Sequence, residues 1–471
     1  MRWWTCPVTS PATDPVTLDS PEQPAVSRKA LTIGLCAVIV GIAFEAAAVA
    51  TAMPVAARQL HGLGAYAWAY SLFTIGMLFS TVVGGRLSDR IGPAKPLVLG
   101  MIIFAGGLVI GGTSVSWLML IFGRLVQGLG GGMLNTAAYV CIAQVFPPAQ
   151  RPRMFTYISM AWVLPGIAGP AAAAWITHTL SWHWAFFAVL PVLGFGALML
   201  APTLRMLLRR GLPPSTEAQG APAPIWAATL AALSAVAIQY AGQRLDLLAI
   251  LPAAAGIVGL AVSLPRLMPP RFMRLARGLP AVVLTRMLLP GAFFGAEAFV
   301  PLMLVEQRHL ALTLAGGVLT VGSVGWFAGA WVQSQRWMTL RRDRMVMLGT
   351  ACVAAGVGLI TVAALLPTSW IGLVAIAWII AAFGMGVATA SSTVATMSFS
   401  SDAEQGRNAS SLNLGDALGS GLFVGISGSV FTALRSGGDL ATTFGSAFLV
   451  MAFVGALSVF ASSRIGRVPE H

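Results

Sequence analysis

Charge is what this 471-residue chain has least of: Asp, Glu, Lys and Arg together make up 9% of it, while apolar residues reach 57%. Soluble globular domains carry roughly 25% charged residues, so a fold made for water is excluded. Lysine is almost missing. Lys29 and Lys95 are the only two, and neither sits in the GxxxxGK[ST] loop that cradles phosphate, which excludes an ATP-driven pump for this chain alone. The four cysteines (Cys6, Cys36, Cys141, Cys352) show neither CxxC pairing nor regular spacing, so they support no zinc site and no disulfide framework, and they read as packing residues. His61, His178, His183, His309 and His471 are scattered, leaving a membrane enzyme without clustered acid–base or metal chemistry. No cofactor and no metal are expected.

What the chain has instead is length in its apolar runs. A bilayer-crossing helix needs about 20 mostly apolar residues. Runs of that kind recur at 30–57, 66–86, 96–115, 117–144, 154–177, 184–204, 225–241, 245–265, 280–305, 313–335, 345–366, 370–398, 409–434 and 441–462. These predict an all-α polytopic membrane protein of fourteen spans. The net charge of +13 would suggest a nucleic-acid partner in a soluble protein, but here the basic residues lie in the loops of a membrane protein, and the partner is the lipid bilayer. With the N-terminus inside, 22 of the 28 Lys and Arg fall on inner segments, and only Arg58, Arg244, Arg308 and Arg435 fall on outer ones. That bias predicts a multi-pass membrane protein with both termini cytoplasmic, and two lysines against 26 arginines point to a GC-rich bacterial genome and hence to the plasma membrane.

The organisation follows. Residues 1–29, rich in Pro, Ser and Thr and without an apolar core, read as a disordered cytoplasmic tail and not as a secretory signal. A six-helix bundle covers 30–204, a Pro-rich cytoplasmic linker 205–224, two additional spans 225–265, a basic linker 266–279, a second six-helix bundle 280–462 and a short tail 463–471. The basic linker has two open readings, an amphipathic helix lying on the inner surface or a solvated loop.

An ionisable side chain at mid-bilayer costs about 2.5–3.5 kcal/mol on insertion scales, so each one kept there is a functional candidate. Glu45, Arg124, Glu297 and Asp416 are such residues, with Arg286 also inside a span. At about 1.5 Å per residue, Glu45 and Arg124 both lie about 20 Å above the inner side, and Glu297 reaches a similar height. Asp416 and Arg286 share a lower level. An acid held between apolar surroundings and an arginine is poised to exchange a proton, which makes these residues candidates for proton and substrate binding. A structural ion pair that holds helices in place is the other reading, and Asp416, among the small residues of LNLGDALGSG, is also open to a packing role. Pro165 and Pro170, with Gly169, predict a bend in the fifth span.

Glu45 precedes the basic inner loop at Arg86 by 41 residues, and Glu297 precedes the one at Arg336 by 39. Spans 1–6 and 9–14 thus read as diverged copies, an arrangement that places a substrate site near the midplane between them. The segment GGRLSDRIGPAK, 84–95, concentrates charge between two apolar runs, and Gly85, Leu87, Asp89, Arg90 and Gly92 in it match G-x-L-x-D-R-x-G. Through this motif the chain resembles the major facilitator superfamily from about residue 30 to 462. GRLVQGLGGG, with Arg124, Gln127 and Gly128, is similar to that family's span-4 motif, where the arginine is associated with proton coupling. GIAGPAAAAW is similar to its span-5 antiporter motif, with alanines at 173 and 174 where glycines are usual. ATAMP and SWHWAFF resemble its fourteen-span drug:proton antiporter branch, with His183 where Arg is common. Pro93 and Ala94 replace the usual basic pair of the first motif.

The resemblance implies a major-facilitator-type fold, two six-helix bundles plus two extra central helices, working by alternating access. On physical grounds a carboxylate is stabilised at a helix N-terminus. Asp89 is therefore expected to cap the start of span 13, beside Arg407, so that Gly85, Asp89, Arg90, Gly92 and Arg407 form a latch between the bundles. The expected function is proton-coupled export of a lipophilic or cationic small molecule. A dedicated exporter of a native lipid or metabolite, and a non-transporting receptor or scaffold, are the open alternatives.

Overall fold

A backbone without water must satisfy its own N–H and C=O groups, and each long apolar run has accordingly become a helix. The computed structural model of the protein describes residues 28–146, 150–210, 224–244, 247–335, 337–400, 405–435 and 437–469. The expected tail up to residue 27 and residues 211–223 of the expected linker lie outside these. The helices are α1 (Arg28–Gln59), α2 (Trp68–Ile91), α3 (Ala94–Gly112), α4 (Trp117–Val145), α5 (Arg151–Thr179), α6 (His183–Phe187), α7 (Val189–Arg210), α8 (Ile225–Gly242) and α9 (Ile250–Leu267). They continue with α10 (Leu279–Glu297), α11 (Val300–Glu306), α12 (Leu312–Val332), α13 (Arg342–Leu365), α14 (Gly372–Ser398), α15 (Gln405–Arg435) and α16 (Leu440–Ser463). Among the described residues, fourteen segments are long and apolar enough to cross a membrane. The sixth is built from α6 and α7, the ninth from α10 and α11.

Both six-span sets use one pattern of packing. In the first, α1 lies on α5 and α7, α2 on α4, and α3 on α4. In the second, α10 lies on α15 and α16, α12 on α14, and α13 on α14. Close approach falls at equivalent points: a Cβ on Gly128 of α4 would stand 2.1 Å from the Phe73 carbonyl oxygen of α2, and one on Gly386 of α14 would stand 2.0 Å from the Trp326 carbonyl oxygen of α12. The sets meet along two seams, α5 with α12 and α2 with α15. The additional helix α8 runs beside the second seam and touches both α2 and α15, while α9 packs chiefly on α8. The fourteen crossings put the two described chain ends on one face with Arg86, Arg90, Lys95, Arg205, Arg266 and Arg341. This basic face lies opposite a far face carrying Arg58, Arg244, Arg308 and Arg435.

The basic linker resolves as a turn. It holds a single 3₁₀ turn, Phe272–Arg274, flanked by Arg271 (φ 65°) and Leu275 (φ 50°) in the left-handed region, with Phe272 buried. Two left-handed residues so close together break any α-helix, so the surface-helix reading gives way to the loop.

Candidate functional site

The first set holds its charge in a closed knot. Arg124, on α4, donates to the Glu45 carboxylate of α1, to Gln127 Oε1 (2.5 Å) and to the Ala69 carbonyl of α2 (2.9 Å). Its guanidinium lies over the Phe73 ring, 4.3 Å from the centroid. Glu45 is 0% exposed and Arg124 3%. A pair this deep offsets its desolvation only when its remaining hydrogen bonds are nearly complete, and here they are not: Glu45 Oε2 and Gln127 Nε2 have no partner among the described residues. The spare oxygen is a place where a proton can add without displacing Arg124.

The second set holds a more open pair. Both Arg286 Nε and Nη2, from α10, donate to the Asp416 carboxylate of α15. Arg286 Nη1 reaches three groups of α14: the Thr389 carbonyl (3.0 Å), the Thr393 hydroxyl (3.2 Å) and the Ser392 hydroxyl (3.3 Å). Arg286 is buried, but the Asp416 side chain remains 26% exposed. This pair therefore reaches accessible space, as the knot around Arg124 does not.

Glu297 stands apart from both. It is the last residue of α10, where the ninth span breaks before resuming at Val300. Pro301 explains the break: it has no N–H for the Glu297 carbonyl to accept four residues on. Among the described residues no hydrogen bond or ion pair reaches the Glu297 carboxyl, and its side chain is only half-buried. Below the break, Phe293 packs edge-on to Phe294 and Trp326 and face to face with Trp378. Ala46 of α1, next to Glu45, is exposed although α1 is packed against α5, α7 and α11.

The motif residues sort by position. Asp89 and Arg90 occupy the last turn of α2 on the basic face, and Gly92 ends that helix with φ 76°, a conformation glycine alone adopts readily. Gly85 faces Thr136 of α4. Arg407 lies in the first turn of α15, and its side chain is outside the described residues. Pro165, Gly169 and Pro170 lie within α5, which runs unbroken; a Cβ on Gly169 would stand 2.9 Å from Ala47 of α1, and the Pro170 carbonyl faces Gly316 of α12 across the first seam. Sequence reasoning missed Pro301. A proline four residues after a buried acid was the available signal.

Two helical sets of one design, with buried ion pairs inside them and an acid at a helix break between them, define a membrane carrier of the two-bundle class. The chain belongs to the Major Facilitator Superfamily, whose family model matches residues 33–424, and is a multi-pass membrane transporter. It is 26% identical over 435 residues to a Mycobacterium tuberculosis protein named "Probable multidrug-efflux transporter", covering 89% of this chain and 91% of that one. Multidrug resistance protein 3 of Bacillus subtilis is 31% identical over 183 residues, 39% of this chain and 35% of that protein, so the match spans about a third of that relative's length. A crystal structure of a POT family transporter, in complex with a thioalcohol-conjugated peptide, has the same fold (TM-score 0.68, 15% identity, 93% of this chain and 96% of that one).

Proposed function

We propose that this transporter is a plasma-membrane antiporter that exports lipophilic, cationic compounds by alternating access, driven by protons moving inward. The observation that carries the reading is the carboxyl of Glu297, half-buried at a helix break and without a hydrogen bond or ion pair among the described residues. Interrupted helices are where many carriers bind ions and substrates, and an acid above a group of aromatic rings suits a cation with an apolar body. The names of the mycobacterial and Bacillus relatives support the same substrate class. Glu45 and Arg124 form the second protonation site, with Glu45 Oε2 as the acceptor, and Asp416 with Arg286 the third polar station, nearer the basic face. The excess of arginine on that face supports a cytoplasmic assignment for it and for both termini. There Gly85, Asp89, Arg90 and Gly92 form a latch toward the start of α15 at Arg407. Pro165, Gly169 and Pro170 supply the surface on which α5 moves against α1 and α12.

The test uses inverted membrane vesicles and a lipophilic cationic dye. Glu297→Gln keeps size and polarity but takes up no proton; it is expected to lower uptake driven by a pH gradient by about a hundredfold, the scale of a lost proton-transfer group. Uptake equal to wild type in vesicles with equal protein content defeats the proposal.

A further inference from the structure

The turn between α9 and α10 holds Arg271 and Leu275 at φ 65° and 50°, a left-handed backbone that L side chains adopt only at a cost. Such strain persists where the surrounding structure holds it in place, and two contacts do so here. Phe272 is buried in the same apolar cluster as Leu267, Met268 and Ile465. The Leu275 carbonyl accepts a hydrogen bond from Arg464 Nε at the end of α16 (3.1 Å). With Phe272 turned in, Arg271, Met273, Arg274, Leu275 and Arg277 are all exposed.

The turn joins the ends of two membrane-crossing segments, so it lies at the membrane surface. Beside it, α9 is the least buried of the fourteen segments: it packs chiefly on α8, and Ile257, Val258 and Val262 stay exposed along it. These lead down to Arg266 in the last turn of α9, whose guanidinium lies over the exposed Trp226 ring of α8, 5.7 Å from the centroid. The sequence has no acid between residues 265 and 280. Among the described residues no ion pair reaches Arg266, Arg271, Arg274 or Arg277. Four exposed guanidinium groups thus stand at the foot of an exposed apolar strip, with two exposed apolar side chains, Met273 and Leu275, between them.

We propose that this turn and the open side of α9 bind an anionic phospholipid. Arg271, Arg274 and Arg277 take the headgroup phosphate, with Arg266 above them at the end of α9. Met273 and Leu275 lie among the acyl carbons nearest the headgroup, and the chains run along Ile257, Val258 and Val262. A guanidinium presents a planar fork of N–H donors that matches phosphate oxygens. A zwitterionic headgroup brings a cation with its phosphate and gains no net attraction from the arginines. Because Phe272 and Arg464 fasten the turn to the second set, the bound lipid ties the additional hairpin α8–α9 to that set. The site is independent of what the carrier moves and of its coupling to protons.

The probe is dioctanoyl phosphatidylglycerol, titrated into the whole chain purified in detergent and followed by native mass spectrometry, with dioctanoyl phosphatidylcholine and inorganic phosphate titrated in parallel. Phosphatidylglycerol is expected to bind about tenfold or more tightly than phosphatidylcholine. An arginine at a charged lipid surface is worth about fivefold in affinity, so Arg271→Gln with Arg274→Gln and Arg277→Gln is expected to weaken phosphatidylglycerol by about a hundredfold. The control is Arg205→Gln with Arg209→Gln, two exposed arginines at the end of α7 on the same basic face, expected to change the affinity by less than about twofold. A loss under about fivefold in the triple variant, or a comparable loss in the control, overturns the site. Phosphate that binds as tightly as the lipid assigns the arginines to a free anion and overturns the lipid. Met273→Ser with Leu275→Asn keeps a residue that tolerates the left-handed backbone; it is expected to weaken phosphatidylglycerol by about tenfold, and an unchanged affinity overturns the apolar half of the site. Melting temperatures without lipid show whether each variant is folded. Where the triple variant is not, Arg274→Gln alone carries the test, with about a fivefold weakening expected and an unchanged affinity overturning the site.

Discussion

At the scale of single residues, the buried charges divide by what surrounds them. Arg124 has a carboxylate, an amide, a carbonyl and an aromatic face; Glu45, among the described residues, has only Arg124. Removing one partner of such a pair strands the other in a medium that cannot solvate it, at about 3–5 kcal/mol, whereas removing both charges costs far less. Arg124→Gln is therefore expected to lower the melting temperature and yield of the detergent-purified protein, and Arg124→Gln with Glu45→Gln is expected to regain most of the loss. Fluorescence-detected size exclusion after a heating series measures both. A double variant no more stable than the single one contradicts the pairing. The sequence carried this much: Glu45 and Arg124 share a height when counted along their spans, as Asp416 and Arg286 do. It did not carry the isolation of Glu297. That depends on a helix break, at a proline four residues later that withholds a hydrogen bond, and on how elements far apart in the chain pack around it.

At the scale of elements, the apolar runs gave the helices almost completely, because in hydrocarbon a continuous apolar segment has no other way to satisfy its backbone. The exceptions are physical. The 266–279 linker is basic with interleaved apolar residues, the composition of a surface helix, yet tertiary contact decides otherwise: Phe272 is drawn into the core and the backbone turns through two left-handed residues. In the glycine-rich stretch at 128–133, small residues let helices approach closely, and Gly128 on Phe73 shows where that closeness is needed. Its counterpart Gly386 gives the prediction. Gly386→Ala places a methyl group 2.0 Å from the Trp326 carbonyl oxygen, so α12 and α14 must separate. Overpacking of this kind costs about 1–3 kcal/mol. Gly358→Ala, on α13, meets nothing within 4 Å and is expected to leave stability unchanged or slightly raised, since alanine favours helix over glycine by about 1 kcal/mol. Thermal melts of the two variants side by side check the difference, and equal melting temperatures would contradict the assignment of close contact to Gly386.

At the scale of the whole molecule, the two sets are tied across the far face. Arg58 of α1 binds Glu306 of α11, and the Thr432 hydroxyl of α15 donates to the Gly64 carbonyl (2.8 Å). Trp68 Nε1 of α2 donates to Gln243 Oε1 at the end of α8 (2.6 Å), which joins the additional hairpin to the same closure. On the proposed alternating-access reading, these ties hold the far end shut, and their strength sets how often it opens. Arg58 is 46% exposed, so its ion pair is solvent-screened and worth up to about 1 kcal/mol, about a fivefold change in the open population. Arg58→Glu replaces that attraction with repulsion between two carboxylates and is expected to favour the outward-open form. Ala46→Cys reports it, because residue 46 is exposed and lies on α1 beside Glu45: a membrane-impermeant maleimide added outside intact cells should label it about fivefold faster in the Arg58→Glu background. Restoring attraction with the pair reversed, Arg58→Glu with Glu306→Arg, should return labelling toward the starting rate. Labelling indifferent to both exchanges would mean that the aromatic packing of Tyr66, Phe299 and Phe431 closes the outer end without help from the ion pair.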